Sequence, residues 1–322
     1  MNAVVITKAG TPDVLQLEER SCPIPAANEV LIRVRAAGIN RLDIFQRKGN
    51  YPAPAGVVDD IPGLEVAGVI EKLGVEVKGW RVGDRVCALI AGGGYAEYAV
   101  ADEGSCLLLP EEVDFESGAA LPETVFTVWD NVFRRANLAA GETILIHGGS
   151  GGIGSTAIQL AKLFGARVLT STGSEEKVSY CRKLGADRVV NYRKEDFAQV
   201  FADEQVQVIL DSVGGDYFQR NIDVLQADGR LVYINAIKGG RVDINLLQLM
   251  NKRIMLTGST LRSRDLGFKK SLAKDVESFV WPLLEKSFRP SIYKVFSLGE
   301  AAEAHRLMEK GGFFGKLVFK LA

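Results

Sequence analysis

GETILIHGGSGGIGSTAIQLAK, residues 141–162, is the stretch that decides the fold. Residues 143–147 form an apolar run typical of a buried strand, and a helical periodicity of apolar residues follows the glycines. Between them stands Gly149-x-Gly151-x-x-Gly154, the dinucleotide-binding spacing in the strand–turn–helix context that it requires. Unpaired backbone N–H groups and the helix dipole favour negative charge at such a turn. The stretch therefore predicts a turn that binds the pyrophosphate of a dinucleotide.

The composition is that of an ordinary globular protein. The chain has 322 residues, 47% of them hydrophobic and 25% charged, which suggests about two domains. Its net charge of −1 indicates no general attraction to nucleic acid or to an anionic membrane. The N-terminus lacks a signal-peptide pattern, and no apolar run approaches the roughly 20 residues that span a bilayer. The four cysteines are scattered, so a reduced, cytoplasmic setting is expected.

Turn residues divide the first part of the chain into short strands, and alternating strands and helices follow. The first set of candidate strands comprises residues 3–7, 14–19, 29–40, 65–74, 84–90 and 95–101. The second set comprises residues 143–147, 167–172, 188–192, 206–211, 229–235 and 254–259. Six strands with helices between most of them fit a doubly wound parallel sheet. The prediction is an α/β protein with a β-rich domain at 1–121 and a dinucleotide-binding domain at 122–261.

The last part of the chain, residues 262–322, is predicted to complete the β-rich domain. It contains a predicted helix around 272–285, a second around 301–309, and a final strand, KLVFKL, at 316–321. A strand must pair its backbone groups with a neighbour. The N-terminal β-rich domain is the expected host of this final strand.

Several motifs together point to a known family. They are GINRLDIFQRKGNYP (38–52), GLEVAGVI (63–70), the glycine loop (141–162), DSVGG (211–215), LRSRD (261–265) and FGKLVF (314–319). Over essentially its full length the chain resembles the medium-chain dehydrogenase/reductase superfamily, and more specifically the zeta-crystallin-like NADPH quinone oxidoreductases. The resemblance implies a GroES-like catalytic domain joined to a Rossmann domain, with nicotinamide and substrate in a cleft between them.

The residues that bind zinc in the zinc alcohol dehydrogenases of that superfamily are missing. Leu64 stands where their Gly-His-Glu motif has its metal-binding histidine, and a cysteine ligand would fall near Asn40. Because leucine has no lone pair to donate and zinc needs about three protein ligands, a metal-free protein is predicted. The two histidines, His147 and His305, are expected to be a strand-end residue and a helix residue.

The residues after the second strand of the dinucleotide-binding domain indicate which cofactor binds. Gly173 and Ser174 stand where NAD-specific folds carry an acidic residue for the ribose hydroxyls. These two and Lys177 suit a 2′-phosphate instead, and the resemblance implies that role for Lys177 and Tyr192. Glu175, the first carboxylate, suits the first turn of a helix that Ser174 caps. NADPH is therefore expected, although Lys177 could also be a solvated lysine and Tyr192 a packing residue.

Two residues are candidates for positioning the substrate or the nicotinamide. Asn40 and Tyr51 lie in the segment that resembles the substrate-cleft lining of the family, and both can hydrogen-bond a carbonyl oxygen. Their alternative roles are a turn residue and a partly buried aromatic. The expected cofactor-binding residues are Thr127, Gly149, Ser150, Gly151, Gly152, Ile153, Gly154, Gly173, Ser174, Lys177, Tyr192, Asn235, Leu261 and Ser263.

The expected chemistry is hydride transfer from the nicotinamide, for which the protein supplies orientation and exclusion of water. A quinone is a strong acceptor that needs little activation, which suits a sequence without a convincing proton donor. NADPH-dependent quinone reduction is therefore expected. The alternatives are NADPH-dependent C=C reduction of enals or enones, with Tyr51 as the only candidate proton donor, and a non-catalytic NADPH-binding protein. Relatives are commonly dimers that extend their sheets edge to edge, so a homodimer is expected.

Overall fold

The computed structural model describes residues 1–284 and 286–322 of the chain. Its strands are β1 (Asn2–Ile6), β2 (Leu15–Glu19), β3 (Glu29–Ile39), β4 (Glu65–Leu73), β5 (Arg85–Leu89), β6 (Tyr98–Asp102), β7 (Cys106–Leu108), β8 (Thr143–His147), β9 (Arg167–Thr172), β10 (Arg188–Asn191), β11 (Val206–Asp211), β12 (Leu225–Tyr233), β13 (Met255–Gly258), β14 (Ile292–Ser297) and β15 (Lys316–Lys320). Its α-helices are α1 (Arg41–Arg47), α2 (Phe115–Gly118), α3 (Pro122–Val128), α4 (Gly152–Leu163), α5 (Glu175–Lys183), α6 (Phe197–Val200), α7 (Tyr217–Val224), α8 (Leu246–Lys252), α9 (Leu266–Phe279), α10 (Trp281–Leu284) and α11 (Ala301–Lys310). Short 3₁₀ turns cover Pro12–Val14, Glu103–Ser105 and Leu298–Glu300, and a π-helical segment covers Trp129–Arg135.

The chain divides into two compact units. The first unit comprises Met1–Thr124 and Arg262–Ala322, and the second unit comprises Val125–Leu261. The domain boundaries expected at 121/122 and 261/262 stay a prediction. No helix among residues 1–284 and 286–322 is long and apolar enough to cross a bilayer.

The first unit is built around the long strand β3, which lies at the centre of a mostly antiparallel sheet. The strand order is β14-β15-β3-β4-β5-β7, and β6 also pairs with β3. The final strand β15 runs antiparallel to β3 with Val318 opposite Gly38, which confirms the expected pairing of the C-terminal strand with the N-terminal β-rich part. Apolar side chains of neighbouring strands, including Ile32, Val66 and Phe319, form its core.

Two strands of the first unit are not predicted from the sequence. Strand β14 runs parallel to β15, but Phe296 is its only buried residue, so the alternation that indicates a strand is weak. Strand β7 has only three residues and pairs with β5. Both depend on their neighbours in the sheet for stability, and a local pattern therefore does not reveal them.

The bounds predicted for the helix around 272–285 are wrong. Helix α9 begins six residues earlier, where the Asp265 carboxylate accepts a backbone N–H of the first turn at 2.8 Å. It stops before Val280, and the short helix α10, which contains Pro282, follows. Proline supplies no backbone N–H to the preceding turn, which explains the interruption. Glu285 lies outside the described residues, whereas the helix predicted around 301–309 is confirmed as α11.

The second unit is a six-stranded parallel sheet in the order β10-β9-β8-β11-β12-β13. Counted from β8 this is the order 3-2-1-4-5-6, so the chain reverses direction across the sheet between β8 and β11. Helix α4, which follows the glycine turn, buries Ala157, Leu160 and Ala161 completely, as its periodicity predicts. The α/β fold class with a doubly wound sheet is confirmed. Such sheets bind ligands at the reversal point, where the glycine turn lies.

Candidate active site and cofactor site

The glycine turn leaves an open place at the start of α4. A Cβ atom on Gly154 would lie 2.6 Å from Gly149 Cα, so close packing of helix on turn requires glycine there. A Cβ on Gly151 would meet nothing nearer than the Gly148 carbonyl oxygen at 3.7 Å. Gly151 is also the residue before the first turn of α4, whose N–H groups have no acceptor within the helix. The turn therefore fits the pyrophosphate of a dinucleotide.

Ser150, Gly152 and Ile153 complete the turn. Ser150 is buried, and its Oγ accepts a hydrogen bond from the Thr172 hydroxyl at 3.2 Å, which joins the turn to the end of β9. Gly152 and Ile153 are the first residues of α4 and are partly exposed. Of the six predicted residues 149–154, Gly151 is exposed and Gly152 and Ile153 are partly exposed, whereas the other three are buried.

A buried hydrogen-bond chain fixes the strand that precedes the turn. The Asn221 amide donates to Asp211 Oδ2 at 2.8 Å, so its oxygen accepts the Nε2–H of His147 at 2.7 Å. His147 Nδ1 then accepts the Ser171 hydroxyl at 2.8 Å. Burial lowers the pKa of His147, which keeps the ring neutral. His147 is the last residue of β8, as predicted, and the four side chains are too deeply buried to meet a substrate.

Four predicted residues lie together after β9 and β10. The Tyr192 ring packs on Gly173, where a Cβ would lie 2.8 Å from Tyr192 Cζ. Ser174 caps α5 through a hydrogen bond from the Lys177 N–H at 3.3 Å. Burial, followed by the nearby charge of Arg193, lowers the pKa of Lys177. No described carboxylate lies within ion-pair distance of the Lys177 ammonium, so this group is suited to an external anion.

The carboxylate of Glu175, at the start of α5, is engaged by residues other than Lys177. Glu175 Oε1 accepts a hydrogen bond from the Asn191 amide at 2.7 Å and forms an ion pair with Lys194 at 2.9 Å. These contacts lower the pKa of Glu175, with the Asn191 hydrogen bond as the largest cause. The carboxylate is therefore engaged with the residues after β10 and not with Lys177.

The remaining cofactor candidates are spread over the chain. Asn235 follows β12 at the carboxyl edge of the sheet, and its Oδ1 accepts the Ala236 N–H at 2.8 Å. Thr127 is a buried residue of α3. Leu261 is the half-buried last residue of the second unit, whereas Ser263 is exposed and belongs to the first unit. The structure thus brings together residues 149–154 and 173–192, and the roles of all these residues stay predictions.

The first unit contains a buried charged cluster centred on Glu65. Its Oε1 accepts the Asn40 amide at 2.9 Å and the Lys316 ammonium, and its Oε2 accepts the Glu123 N–H at 2.8 Å. Lys316 also donates to Asn40 Oδ1 at 2.7 Å. Gly38 makes room for the carboxylate, because a Cβ there would lie 2.5 Å from Glu65 Cδ. Asn40, a predicted site residue, therefore has both ends of its amide engaged within the protein.

A second buried chain holds α1 in place. Arginine can only donate, so His305 Nδ1 accepts from Arg47 at 3.2 Å and its Nε2–H donates to the Tyr95 oxygen at 3.2 Å. The Tyr95 hydroxyl donates to Asp43 Oδ2 at 2.8 Å, and the Asn40 N–H donates to the same atom at 2.7 Å. Burial and then Arg47 lower the pKa of His305 to about 3, whereas burial raises that of Asp43 to about 6. His305 lies in α11, as predicted.

Tyr51 is held by an arginine that the sequence analysis does not identify. The Arg262 guanidinium lies 5.0 Å from the centre of the Tyr51 ring and donates to the Tyr51 carbonyl at 3.3 Å. It also donates to Gln46 Oε1 at 2.9 Å and to the Ala91 carbonyl at 2.7 Å. Burial raises the pKa of the half-buried Tyr51, with Arg262 opposing it. No described residue hydrogen-bonds the Tyr51 hydroxyl, which can therefore meet a ligand.

Glu123 is a further acidic residue in this unit that sequence reasoning missed. Its side chain is 8% exposed, and no described residue donates a hydrogen bond to its carboxyl oxygens. Burial, and next the charge of Glu65, raises the pKa of Glu123 to about 8. The available signal for Glu123 is one charged residue in the otherwise uncharged run GAALPETVFTVW, and that for Lys316 is a lysine directly before the apolar residues LVF.

The donor set for a metal ion is poor. Leu64 is buried and offers no metal ligand, and the Lys316 ammonium donates to both Asn40 and Glu65. Within residues 1–284 and 286–322, no cluster of three or more His, Cys, Asp or Glu side chains is placed to hold a metal. A metal-free protein stays a prediction.

Comparisons with known proteins cover the whole chain. The family model of the alcohol dehydrogenase GroES-like domain matches residues 26–111, and that of the zinc-binding dehydrogenases matches residues 152–278. The quinone oxidoreductase of Sus scrofa is 32% identical over 331 residues, which cover 100% of this chain and 98% of the relative. The Escherichia coli quinone oxidoreductase complexed with NADPH superposes with a TM-score of 0.86 at 29% identity, with 100% of both chains covered. An NAD-dependent alcohol dehydrogenase superposes with a TM-score of 0.89 at 30% identity, again over 100% of both chains.

Proposed function

We propose, because the chain belongs to the medium-chain dehydrogenase/reductase superfamily and to its quinone oxidoreductase type, that it reduces quinones with NADPH and without a metal. It is an oxidoreductase with a nicotinamide cofactor, and the quinone and the phosphorylated cofactor are the specific parts of the proposal. The observation that carries the proposal is the full-length similarity to quinone oxidoreductases at about 30% identity or above.

The preference for NADPH is supported by the charge around Gly173. A 2′-phosphate there would gain charge-assisted hydrogen bonds from Lys177 and Ser174 and would relieve the repulsion between Lys177 and Arg193. NADH offers no such group. The test compares kcat/KM for NADPH and NADH, with a higher value for NADPH expected. An equal or higher value for NADH would place the chain with NAD-dependent members of the superfamily.

The residues of the chain act by binding and orientation. Nicotinamide supplies the hydride when it is bound, and the glycine turn and α4 hold the pyrophosphate. The Tyr51 hydroxyl is free to hydrogen-bond a carbonyl oxygen, and Arg262 fixes the position of its ring. Asn40 acts through Glu65 and Lys316, which it links, and is a positioning residue for this part of the site.

The substrate class is tested by steady-state assays with NADPH against ortho-quinones, para-quinones and 2-alkenals. Quinone turnover that exceeds alkenal turnover is expected. Dominant alkenal turnover that collapses in Tyr51→Phe would replace the quinone proposal by C=C reduction. Tight NADPH binding without turnover of any acceptor would identify a non-catalytic binding protein. Dialysis against a chelator should leave quinone reduction unchanged, and a loss restored by zinc would refute the metal-free mechanism.

The chain is further proposed to form a homodimer through the second unit. Strand β13 pairs with β12 on one side only among the described residues, and α8 buries none of its residues. Leu246, Leu247 and Met250 of α8 are 65%, 70% and 69% exposed, and Met255 of β13 is 54% exposed. Exposed apolar side chains on α8 and β13, together with a free strand edge, are suited to pairing with a second copy. Light scattering should give a dimer at micromolar concentration, and a monomer would refute this part.

A further inference from the structure

The carboxyl of Glu123 is an unusual group for the interior of a protein. The Glu123 residue is 8% exposed, and no described residue donates a hydrogen bond to its carboxyl oxygens. An ionised carboxylate without partners in such a place is costly, so the neutral acid is favoured. The backbone N–H of Glu123 donates to Glu65 Oε2 at 2.8 Å, which places Glu123 directly beside the charged cluster around Glu65.

The charged groups around Glu123 come from several elements and do not neutralise it. Those that act on it are Glu65 of β4, Asp43 of α1, Lys316 of β15 and Arg262 before α9, with Lys269 of α9 and Tyr51 close enough to feel its charge. Lys316 is engaged by Glu65 and Asn40, and Arg262 by Gln46 and two carbonyls. Burial and the two carboxylates together outweigh these cations, which explains why the pKa of Glu123 rises to about 8.

We propose that Glu123 is a catalytic acid of this reductase, which hydrogen-bonds the carbonyl oxygen of the substrate and protonates it during hydride transfer. The proposal rests on the proposed function. The hydride brings two electrons and one hydrogen to the quinone and forms the first new bond to hydrogen, while the Glu123 O–H bond breaks and its electron pair remains on the carboxylate. The proton forms the new O–H bond of the hydroquinone, and solvent returns a proton to Glu123 after product release.

The other buried carboxylates of the first unit are unsuited to this task. Asp43 accepts hydrogen bonds from Tyr95 and from the Asn40 and Gly63 N–H groups, and Glu65 forms the ion pair with Lys316. These contacts and the Glu123 N–H engage every carboxyl oxygen of Asp43 and Glu65 within the protein, so neither side chain has an oxygen left to meet a substrate. Glu123 lacks them, and a carboxylic acid kept neutral by an apolar site can donate a hydrogen bond to an oxygen that gains negative charge.

The first experiment detects the acid without substrate or cofactor. Infrared spectroscopy of the wild type should show a protonated carboxyl at pH 7 that is lost with a midpoint near 8. The band should be absent from Glu123→Gln and retained in Glu111→Gln, a control at an exposed position of the same unit. A wild-type spectrum without a carboxyl that titrates near this pH would overturn the proposal.

The second experiment measures quinone reduction against pH. Wild-type kcat should fall above pH 8, Glu123→Gln should lower kcat about 100-fold and remove that fall, and Glu111→Gln should match the wild type. Glu123→Asp should recover part of the rate, which separates proton donation from a packing role. Full activity of Glu123→Gln would overturn this proposal alone. A wild type inactive with every quinone would overturn the proposed function and this role with it.

Discussion

The two units differ in where their candidate binding groups lie. In the second unit the groups proposed to meet a cofactor are backbone N–H groups of the glycine turn, and the His147 side chain belongs to the buried hydrogen-bond chain behind that turn. In the first unit the candidate groups are buried side chains of β4, α1 with its cap residue Asn40, α11 and β15. Backbone groups carry no proton equilibrium, whereas buried acids and bases do. We therefore expect substitutions in the second unit to act through side-chain volume, and substitutions in the first unit to act through charge.

The largest expected effect is the loss of the buried ion pair of the first unit. Lys316→Met leaves the Glu65 carboxylate, which is 0% exposed, without its cation. Breaking a buried pair in this way costs about 3–5 kcal/mol of unfolding free energy. Lys320→Met is the matched control, because Lys320 lies in the same strand and forms with Glu116 an exposed pair that contributes little to stability. Urea unfolding measures the free energy of unfolding of both variants. Equally small decreases in the two would show that the stability of the charged cluster does not depend on the charge of Lys316.

The second unit should respond to volume instead of charge. Gly154→Ala forces a Cβ against the backbone of Gly149 and should cost about 2–3 kcal/mol of unfolding free energy and abolish NADPH binding. Gly151→Ala meets open space, so the melting temperature should hold while NADPH affinity falls at least about 10-fold. Thermal unfolding and NADPH titration separate the two variants. Unchanged affinity in Gly151→Ala would mean that the pyrophosphate does not approach this residue.

The same contrast explains how much of the molecule the sequence predicts. Strand, turn and helix of the glycine loop lie within residues 143–163, so a local pattern contains all the information. The polar cluster joins Asn40 to Glu65, 25 residues away, and to Lys316, 276 residues away. A polar residue in an apolar strand shows that something unusual is buried, but its partner is decided only when β15 pairs with β3.

Asn40 and Tyr51 illustrate the limit of a family resemblance. It selected both positions, and the structure gives them different environments, because the Asn40 amide is engaged at both ends while the Tyr51 hydroxyl has no described partner. Glu123 is a single charged residue without a local pattern, and Arg262 lies in the LRSRD motif, which indicates the family but not the role of this residue. Burial and the surrounding charges, which appear only in the folded chain, identify them.

A smaller effect is expected from the pH dependence of stability. The folded state keeps His305 neutral with a pKa of about 3, whereas the unfolded chain binds a proton below about 6.5. The unfolded state therefore binds more protons between these values, and stability is lost as the pH falls through this range. His305→Gln, which can still accept from Arg47 and donate to Tyr95, should remove up to about 1.4 kcal/mol per pH unit of this slope.

The free energy of unfolding is measured between pH 4 and 7 for the wild type and for His305→Gln. The difference between their two pH slopes tests this expectation. Asp43 and Glu123 have raised pKa values, so their contributions fall as the pH rises and act in the opposite sense. They are present in both proteins and cancel in the comparison. An identical slope in His305→Gln would mean that the ring is protonated in the folded state, which would contradict the direction of the hydrogen bond from Arg47.

The most local expected effect is on cofactor choice, for which we propose that the second unit uses a side-chain charge. Lys177→Ala removes a cation that has no described acidic partner, and a single charged hydrogen bond to a 2′-phosphate is worth about 1.5–3 kcal/mol. The kcat/KM for NADPH should fall about 10-fold or more, while that for NADH is unchanged. Lys183→Ala, at an exposed position of the same helix, should alter neither. Equal losses with both cofactors would assign Lys177 to the stability of α5, and the second unit would then bind its ligand through backbone groups alone.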